Sequence, residues 1–305
     1  MNAVVSIGTN STRVLLADLD EDPPRAIFAR SIGTRLGEGL RDRGRLSDEA
    51  IVRTLAAVQS HARSLRGRAD DVVAIATSAV RRADNGPAFA AKVEKILGTP
   101  LHVLTGDEEG LASYRGAISA LPPSSGNTGV VDTGGGSTEY AVGSGTFPER
   151  VASCEIGAVR LTETCPGLSG EAGAVEAPVL ARAKEIARAL LAPMREFPAI
   201  ERLALVGGSA TTAASLLRGD RTPFVTAAIA RADVLATLAR LCAMPLERRR
   251  ELPGMNPQRA DILPAGLIVL DAVFETIGLD RATATSSDLL MGYLLIRREG
   301  GLVTS

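Results

Sequence analysis

An apolar strand that enters a glycine- and hydroxyl-rich turn and leaves as a second apolar strand occurs twice in this chain, about 126 residues apart. The first copy is Val4-Val5-Ser6-Ile7-Gly8-Thr9-Asn10-Ser11-Thr12-Arg13, continuing as Val14-Leu15-Leu16-Ala17-Asp18. The second is Val130-Val131-Asp132-Thr133-Gly134-Gly135-Gly136-Ser137-Thr138-Glu139, continuing as Tyr140-Ala141-Val142. Such runs around a glycine turn predict hairpins. Two of them one domain length apart predict a tandem duplication, with a ligand in the cleft between the copies. The expected fold class is α/β in two domains.

The clearest boundary is Leu121-Pro122-Pro123-Ser124-Ser125-Gly126, which places the domains at 1–125 and 126–305, with the last helix able to pack back on the first domain. Between the hairpins, strands are expected at 26–30, 71–76 and 101–104. Ser47, followed by Asp48 and Glu49, suits a helix start, and Ile51, Leu55, Val58, Ala62 and Leu65 recur on one helical face. Further helices are expected at 88–97, from Asp107 onward, and at 170–196, 231–244, 264–277 and 289–296.

The turns point to phosphate. Glycines let backbone N–H groups approach an anion and hydroxyls add donors. Asp132 and Glu139 are acceptors only, so their place beside such a turn predicts a hard divalent cation. A third glycine turn, Gly207-Gly208-Ser209, follows a buried strand and opens a helix. No glycine run ends in Gly-Lys-Ser/Thr, and no G-x-G-x-x-G opens a helix, so neither nucleotide fingerprint is present. Glu108 and Glu109 open the helix after Thr105-Gly106, where a carboxylate can deprotonate a water or simply favour the helix N-terminus. Arg81 follows the 71–76 strand, where a guanidinium can clamp phosphate oxygens.

Bulk properties exclude other classes. With 34 basic and 35 acidic residues the net charge is −1, so no global field draws the chain to nucleic acid or membrane. Cys154, Cys165 and Cys242 are odd in number and show no C-x-x-C spacing, which fits a reduced compartment. His61 and His102 are the only histidines, too few for a histidine metal cluster, and each is expected to be structural. No apolar run reaches membrane-spanning length, and a cytoplasmic protein is expected.

Taken in order, these segments resemble the exopolyphosphatase/guanosine pentaphosphate phosphatase (Ppx/GppA) family of the actin–hexokinase–Hsp70 superfamily. The resemblance runs through the first hairpin, Arg35-Leu36-Gly37-Glu38-Gly39-Leu40, Ala76-Thr77-Ser78-Ala79-Val80-Arg81 and Thr105-Gly106-Asp107-Glu108-Glu109-Gly110. It continues through the Asp132 hairpin, Ile156-Gly157-Ala158-Val159-Arg160-Leu161-Thr162-Glu163, Gly207-Gly208-Ser209-Ala210-Thr211 and Arg259-Ala260-Asp261-Ile262. It implies two RNase H-like (actin-like ATPase) domains and a phosphoric anhydride hydrolase with Glu109 as general base and Arg81 as phosphate clamp. It implies magnesium or manganese on Asp132 and Glu139. Asn10, Ser11 and Thr12 of the first hairpin, Gly134, Gly135, Gly136, Ser137 and Thr138 of the second, and Gly207, Gly208 and Ser209 would hold phosphate.

The substrate this implies is the end of an inorganic polyphosphate chain, with guanosine pentaphosphate, or non-catalytic sensing of guanosine tetra- and pentaphosphate or polyphosphate, as alternatives. A sugar-kinase-like use of the fold has no specific signal. The resemblance leaves room for a homodimer. Two departures stand out: Ser6 occupies a position where family members commonly carry an acid, and Thr285-Ser286-Ser287-Asp288-Leu289-Leu290-Met291-Gly292 departs from an acid- and Arg-bearing pattern. The first removes one charge from the cation's surroundings.

Overall fold

The computed structural model describes residues 1–301. It divides into two compact units, Met1–Ser119 together with the segment from Ser287 onward, and Ala120–Ser286. The first unit opens with β1 (Asn2–Ile7), β2 (Ser11–Asp18) and β3 (Arg25–Gly33), an antiparallel meander. Then come α1 (Leu40–Arg43), α2 (Asp48–Leu65), β4 (Asp71–Ala76), α3 (Ser78–Arg82), α4 (Gly86–Leu97), β5 (Leu101–Val103) and α5 (Gly106–Ser119). The sheet order is β3-β2-β1-β4-β5, with β4 parallel to β1 and β5 parallel to β4.

The second unit repeats the plan. Its meander is β6 (Thr128–Thr133), β7 (Thr138–Gly143) and β8 (Arg150–Cys154), followed by α6 (Ala158–Thr164), α7 (Ala177–Leu191), β9 (Arg202–Val206) and α8 (Gly207–Arg218). β10 (Thr226–Ala230), α9 (Arg231–Cys242), α10 (Leu246–Arg250), α11 (Leu263–Ile277) and β11 (Arg281–Thr285) complete it. In the order β10-β11-β9-β6-β7-β8, the run β8-β7-β6-β9-β11 has the polarity of β3-β2-β1-β4-β5, and β10 is an added antiparallel edge. The α/β class and the repeated unit read from the sequence are both present.

Local chemistry accounts for most boundaries. Ser47 Oγ accepts the Ala50 amide at 3.2 Å and caps α2, whose buried residues Ile51, Thr54, Val58, His61 and Leu65 recur at three and four. Twelve of the fifteen residues of α11 are buried, so it is a core helix of its unit rather than an amphipathic cover. Its one buried charge, Asp271, accepts from Arg231 Nε at 2.7 Å.

One reading needs correction, and two strands carry no earlier reading. The expected helix over 170–196 begins only at Ala177, because Gly170 (φ 78°) and Gly173 (φ 119°) hold left-handed turns and Pro178 suits the first helical turn. It ends at Leu191 and passes into a 3-10 turn, Ala192–Glu196. The strands β10 and β11 are alanine- and threonine-rich and carry little intrinsic strand signal. Their pairing and half-buried positions make them strands.

His61 is fully buried on α2 beneath the first hairpin, with Nε2 3.2 Å from the Thr12 carbonyl oxygen and Nδ1 without a hydrogen-bond partner. Burial pushes its pKa below the ordinary value of 6.5. The unfolded chain therefore takes up a proton at a higher pH than the folded one, and stability falls as pH drops below about 6.5 toward the lower folded value. Urea midpoints between pH 8 and pH 5 should show this slope, and a His61→Gln variant should flatten it; an equal slope in both proteins would refute the assignment.

The final helix, α12 (Leu289–Arg298), belongs to the first unit and lies along α5. Asp288 caps it, with Oδ1 accepting the Leu290 amide at 3.1 Å and Oδ2 accepting from Arg13 Nη2 at 2.5 Å. The helices touch backbone to backbone. A Cβ on Gly292 would fall 1.7 Å from the Ala112 carbonyl oxygen, and one on Gly116 would fall 2.1 Å from that of Asp288.

Candidate functional site

In the first unit the β1–β2 turn is closed by the Gly8 amide donating to the Ser11 carbonyl at 3.0 Å. The loop after β3 is bound to this turn: the Thr34 and Arg35 amides both donate to the Asn10 carbonyl, at 3.0 and 2.9 Å, and the Gly37 amide donates to that of Thr9 at 2.9 Å. Asn10 is 5 % exposed and its Oδ1 is buried without a hydrogen-bond partner. Ser78 Oγ, on the first residue of α3, is in the same state. A buried polar atom without a partner is costly, so the Ser78 hydroxyl is suited to donate to a ligand oxygen, and the Asn10 amide oxygen to accept from a bound water or other donor. Thr12 differs: it is fully buried and its hydroxyl lies 3.2 Å from that of Thr34.

The structure brings Arg81 and Glu109 together. Arg81 Nη1 lies 2.5 Å from Glu109 Oε1 and also donates to the Leu104 carbonyl. Glu109 is 6 % exposed, so a carboxylate sits in a largely dry place with a guanidinium in contact. Glu108 points elsewhere. Its Oε2 accepts the Thr105 amide at 2.7 Å while the Thr105 hydroxyl accepts the Glu108 amide at 3.2 Å, a reciprocal capping box, and Oε1 lies 3.4 Å from His102 Nε2. Of the two adjacent glutamates, one caps α5 and the other meets Arg81.

In the second unit Asp132 and Glu139 are directly paired across β6 and β7. Their Cβ atoms therefore stand on one face about 4.5–5.5 Å apart. Glu139 is buried and its Oε1 accepts from Ser153 Oγ, on β8, at 2.8 Å. Gly207 (φ 87°) opens α8 under this pair; a Cβ there would lie 2.6 Å from Asp132 Oδ1, so the position excludes any side chain on two grounds. Thr133 Oγ1, between the acids and the glycines, is buried without a hydrogen-bond partner. Among the described residues no group of three or more His, Cys, Asp or Glu could hold a metal ion. Two facing carboxylates still fit magnesium, which commonly takes one or two carboxylates and completes its shell with water and phosphate oxygens.

The glycine turn is braced from behind: the Ala158 amide donates to the Gly134 carbonyl at 3.0 Å, and the Val159 and Arg160 amides donate to that of Gly135 at 2.9 and 3.1 Å. The Gly134 amide closes the turn on the Ser137 carbonyl at 3.0 Å, so the N–H groups of Gly135 and Gly136 are the ones the turn can offer to an anion. Ser137 is buried in the turn. Thr138 is fully buried and spends its proton on the Ile156 carbonyl at 2.7 Å. Ser209 is 1 % exposed, and its Oγ lies 2.3 Å from where a Gly266 Cβ would stand, facing α11. The hydroxyls of Thr12 and Thr138 are thus bonded inside their units, and Ser209 packs against α11.

Three participants were not given roles from sequence. Ser78 lies in the family-like Ala76–Arg81 segment but had no role there, Ser153 is a serine in an unremarkable run, and the β7–β8 pairing that sets Ser153 opposite Glu139 was not foreseen. Arg259 lies in a segment read as family-like; its guanidinium fills the space over Gly208, where a Cβ would be 1.9 Å from Cζ.

The cysteines take no part. All three are buried, and burial, with a smaller contribution from Glu139, raises the Cys154 thiol to about 11. A disulfide-exchange reagent at pH 8 should titrate no thiol in the native protein and three after denaturation; a fast-reacting native thiol would contradict this.

The model of the "Ppx/GppA phosphatase family" matches residues 15–290. Exopolyphosphatase 2 of Mycobacterium tuberculosis is 35 % identical, over 96 % of this chain and 97 % of that protein. A guanosine-5'-triphosphate,3'-diphosphate pyrophosphatase of Vibrio vulnificus is 29 % identical over 95 % of this chain and 58 % of its own length. Among solved structures, an exopolyphosphatase-like protein superposes with a TM-score of 0.88 at 26 % identity, covering 99 % of both chains. The Aquifex aeolicus Ppx/GppA family member superposes at 0.80 with 25 % identity, also covering 99 % of both.

Proposed function

Because the chain belongs to the Ppx/GppA phosphatase family, we propose that it is an exopolyphosphatase, removing terminal phosphate from inorganic polyphosphate as orthophosphate. The observation that carries this reading is the Arg81–Glu109 contact, a nearly buried carboxylate at the head of α5 with a phosphate-binding cation already on it. The mechanism follows from these residues. Glu109 orients a water and accepts its proton as the water oxygen bonds to the terminal phosphorus. The bond from phosphorus to the bridging oxygen breaks, and that oxygen leaves on the shortened chain. Arg81 binds oxygens of the same phosphoryl group, and the Asn10 amide, the Ser78 hydroxyl and the turn N–H groups position it. Positioning and charge neutralisation are the main demands of phosphoryl transfer, whose transition state is loose.

In the second unit we assign Asp132 and Glu139 to magnesium or manganese, which supplies positive charge for phosphate oxygens when bound. Ser153 holds Glu139 for that purpose. Polyphosphate is favoured as substrate because the tuberculosis exopolyphosphatase is the more similar relative, at 35 % identity against 29 % for the Vibrio pyrophosphatase.

The deciding assay measures phosphate release from polyphosphate and from guanosine pentaphosphate, each with magnesium and with a chelator. Release from polyphosphate that is faster than from the nucleotide and lost with the chelator is expected. A preference for the nucleotide would make the protein a guanosine pentaphosphate phosphohydrolase, and release from neither would overturn the enzymatic reading.

A further inference from the structure

Among the described residues Arg35 is the only non-glycine with a positive φ, 48°. A long β-substituted side chain in the left-handed region costs about 1 kcal/mol or more, and such positions persist where the surroundings over-determine them. Here they do. The Arg35 amide is held by the Asn10 carbonyl, its own carbonyl accepts the Glu38 amide at 3.1 Å, and the next turn is pinned to Thr9 through Gly37. A glycine or asparagine would satisfy this backbone at lower cost, yet an arginine occupies the position beside the phosphate turn.

The segment it opens is basic. Residues 35–46 contain Arg35, Arg41, Arg43 and Arg45 against Glu38 and Asp42. Glu38 is already neutralised from outside the segment, by Arg53 Nη2 at 2.9 Å. Arg41, Arg43 and Arg45 are exposed. Arg43 Nη2 donates to the Glu38 carbonyl at 2.5 Å, which places this guanidinium against the loop bound to the hairpin. A solvated charge run would need no strained residue at its root and no fixed connection to the phosphate turn.

We propose that this segment is a distal subsite for the polyphosphate chain, with Arg35 gripping phosphates next to the turn and Arg41 and Arg45 holding the chain farther from its reacting end. The proposal rests on the reading that the Gly8–Ser11 turn receives phosphate, and it concerns binding rather than turnover. Guanidinium groups suit it because they bind phosphate oxygens in pairs and remain charged. A chain of many phosphates reaches such a subsite, whereas a tripolyphosphate occupying the reacting end does not.

The test compares the affinities of the whole protein for a long polyphosphate, about 100 phosphates, and for tripolyphosphate, by equilibrium binding in a chelator across a range of salt. Wild type is expected to bind the long chain more tightly. In Arg41→Ser/Arg45→Ser the long-to-short affinity ratio should fall about tenfold, and the dependence of log affinity on log salt should flatten by roughly one per arginine removed. Arg35→Asn should lower the ratio without lowering the melting temperature, since asparagine accepts the left-handed backbone, and Arg35→Lys should recover part of it. An unchanged ratio in the double variant, or a wild type with no preference for the longer chain, would overturn the subsite. Phosphate release measured on the same samples separates this outcome from a failure of the hydrolase reading, which would abolish release and leave the ratio intact.

Discussion

Replacing Glu109 with Gln is expected to lower kcat for phosphate release by about 10²–10⁴-fold, the range for losing a general base. The amide has nearly the carboxylate's shape, and its oxygen can still accept from Arg81 Nη1, so the local frame is conserved. What disappears is the capacity to take the water's proton. KM should change far less, because the substitution leaves Arg81 and the first-unit turn in place. Melting curves guard against a trivial cause: Glu109 is buried and Arg81 keeps a quarter of its side-chain surface exposed, so the guanidinium, left without its countercharge, retains some solvent. A variant that keeps more than a tenth of wild-type kcat would remove Glu109 from the mechanism. Glu108→Gln, which disturbs the cap of α5 rather than the base, should act mainly through stability.

The second large effect concerns the fold. Gly292→Ala is expected to destabilise the protein by about 3 kcal/mol or more, at the upper end of overpacking costs. The added methyl carbon would meet the Ala112 carbonyl oxygen at 1.7 Å, and a backbone oxygen within helix α5 cannot rotate away as a side chain can. The helices would have to separate along a contact that Gly116 tightens one turn on, exposing Leu289, Tyr293 and Ile296. Gly145→Ala is the control: its Cβ position has no neighbour within 4 Å and its φ is not in the left-handed region, so a change within about 0.5 kcal/mol is expected. Urea unfolding of both variants reads the difference. A Gly292→Ala protein within 1 kcal/mol of wild type would mean that the helices are not in backbone contact.

The hairpins were legible because glycine, hydroxyl and flanking valine act locally, and local signals are what a sequence carries plainly. The same is true of α2, with its serine cap and three–four spacing. Alternation along a strand was legible as alternation, but not which face would meet ligand and which the core. Thr12 and Thr138 were therefore read as phosphate groups, although one meets Thr34 and the other the Ile156 carbonyl. Glu108 and Glu109 could not be separated by the residues alone, since either carboxylate suits a helix start. Only the placement of Thr105 and Arg81 tells them apart. The departure at Ser6 gains a neighbour that no spacing could reveal. Arg13 is its partner across the β1–β2 ladder, and that arginine is bonded to Asp288, from the second departing segment.

The return of the last helix to the first unit also has a consequence for biosynthesis. Ala120–Ser286 is an insertion between two parts of one folding unit, so the ribosome delivers the inserted part whole before the host can close. Domains usually mature in the order in which they are made, N-terminal first. Here the N-terminal sheet must wait, its α5 face uncovered and apolar, until Leu289–Arg298 clears the exit tunnel. Nascent chains stalled short of Asp288 should therefore expose their early half, and not their middle, to chaperones and proteases.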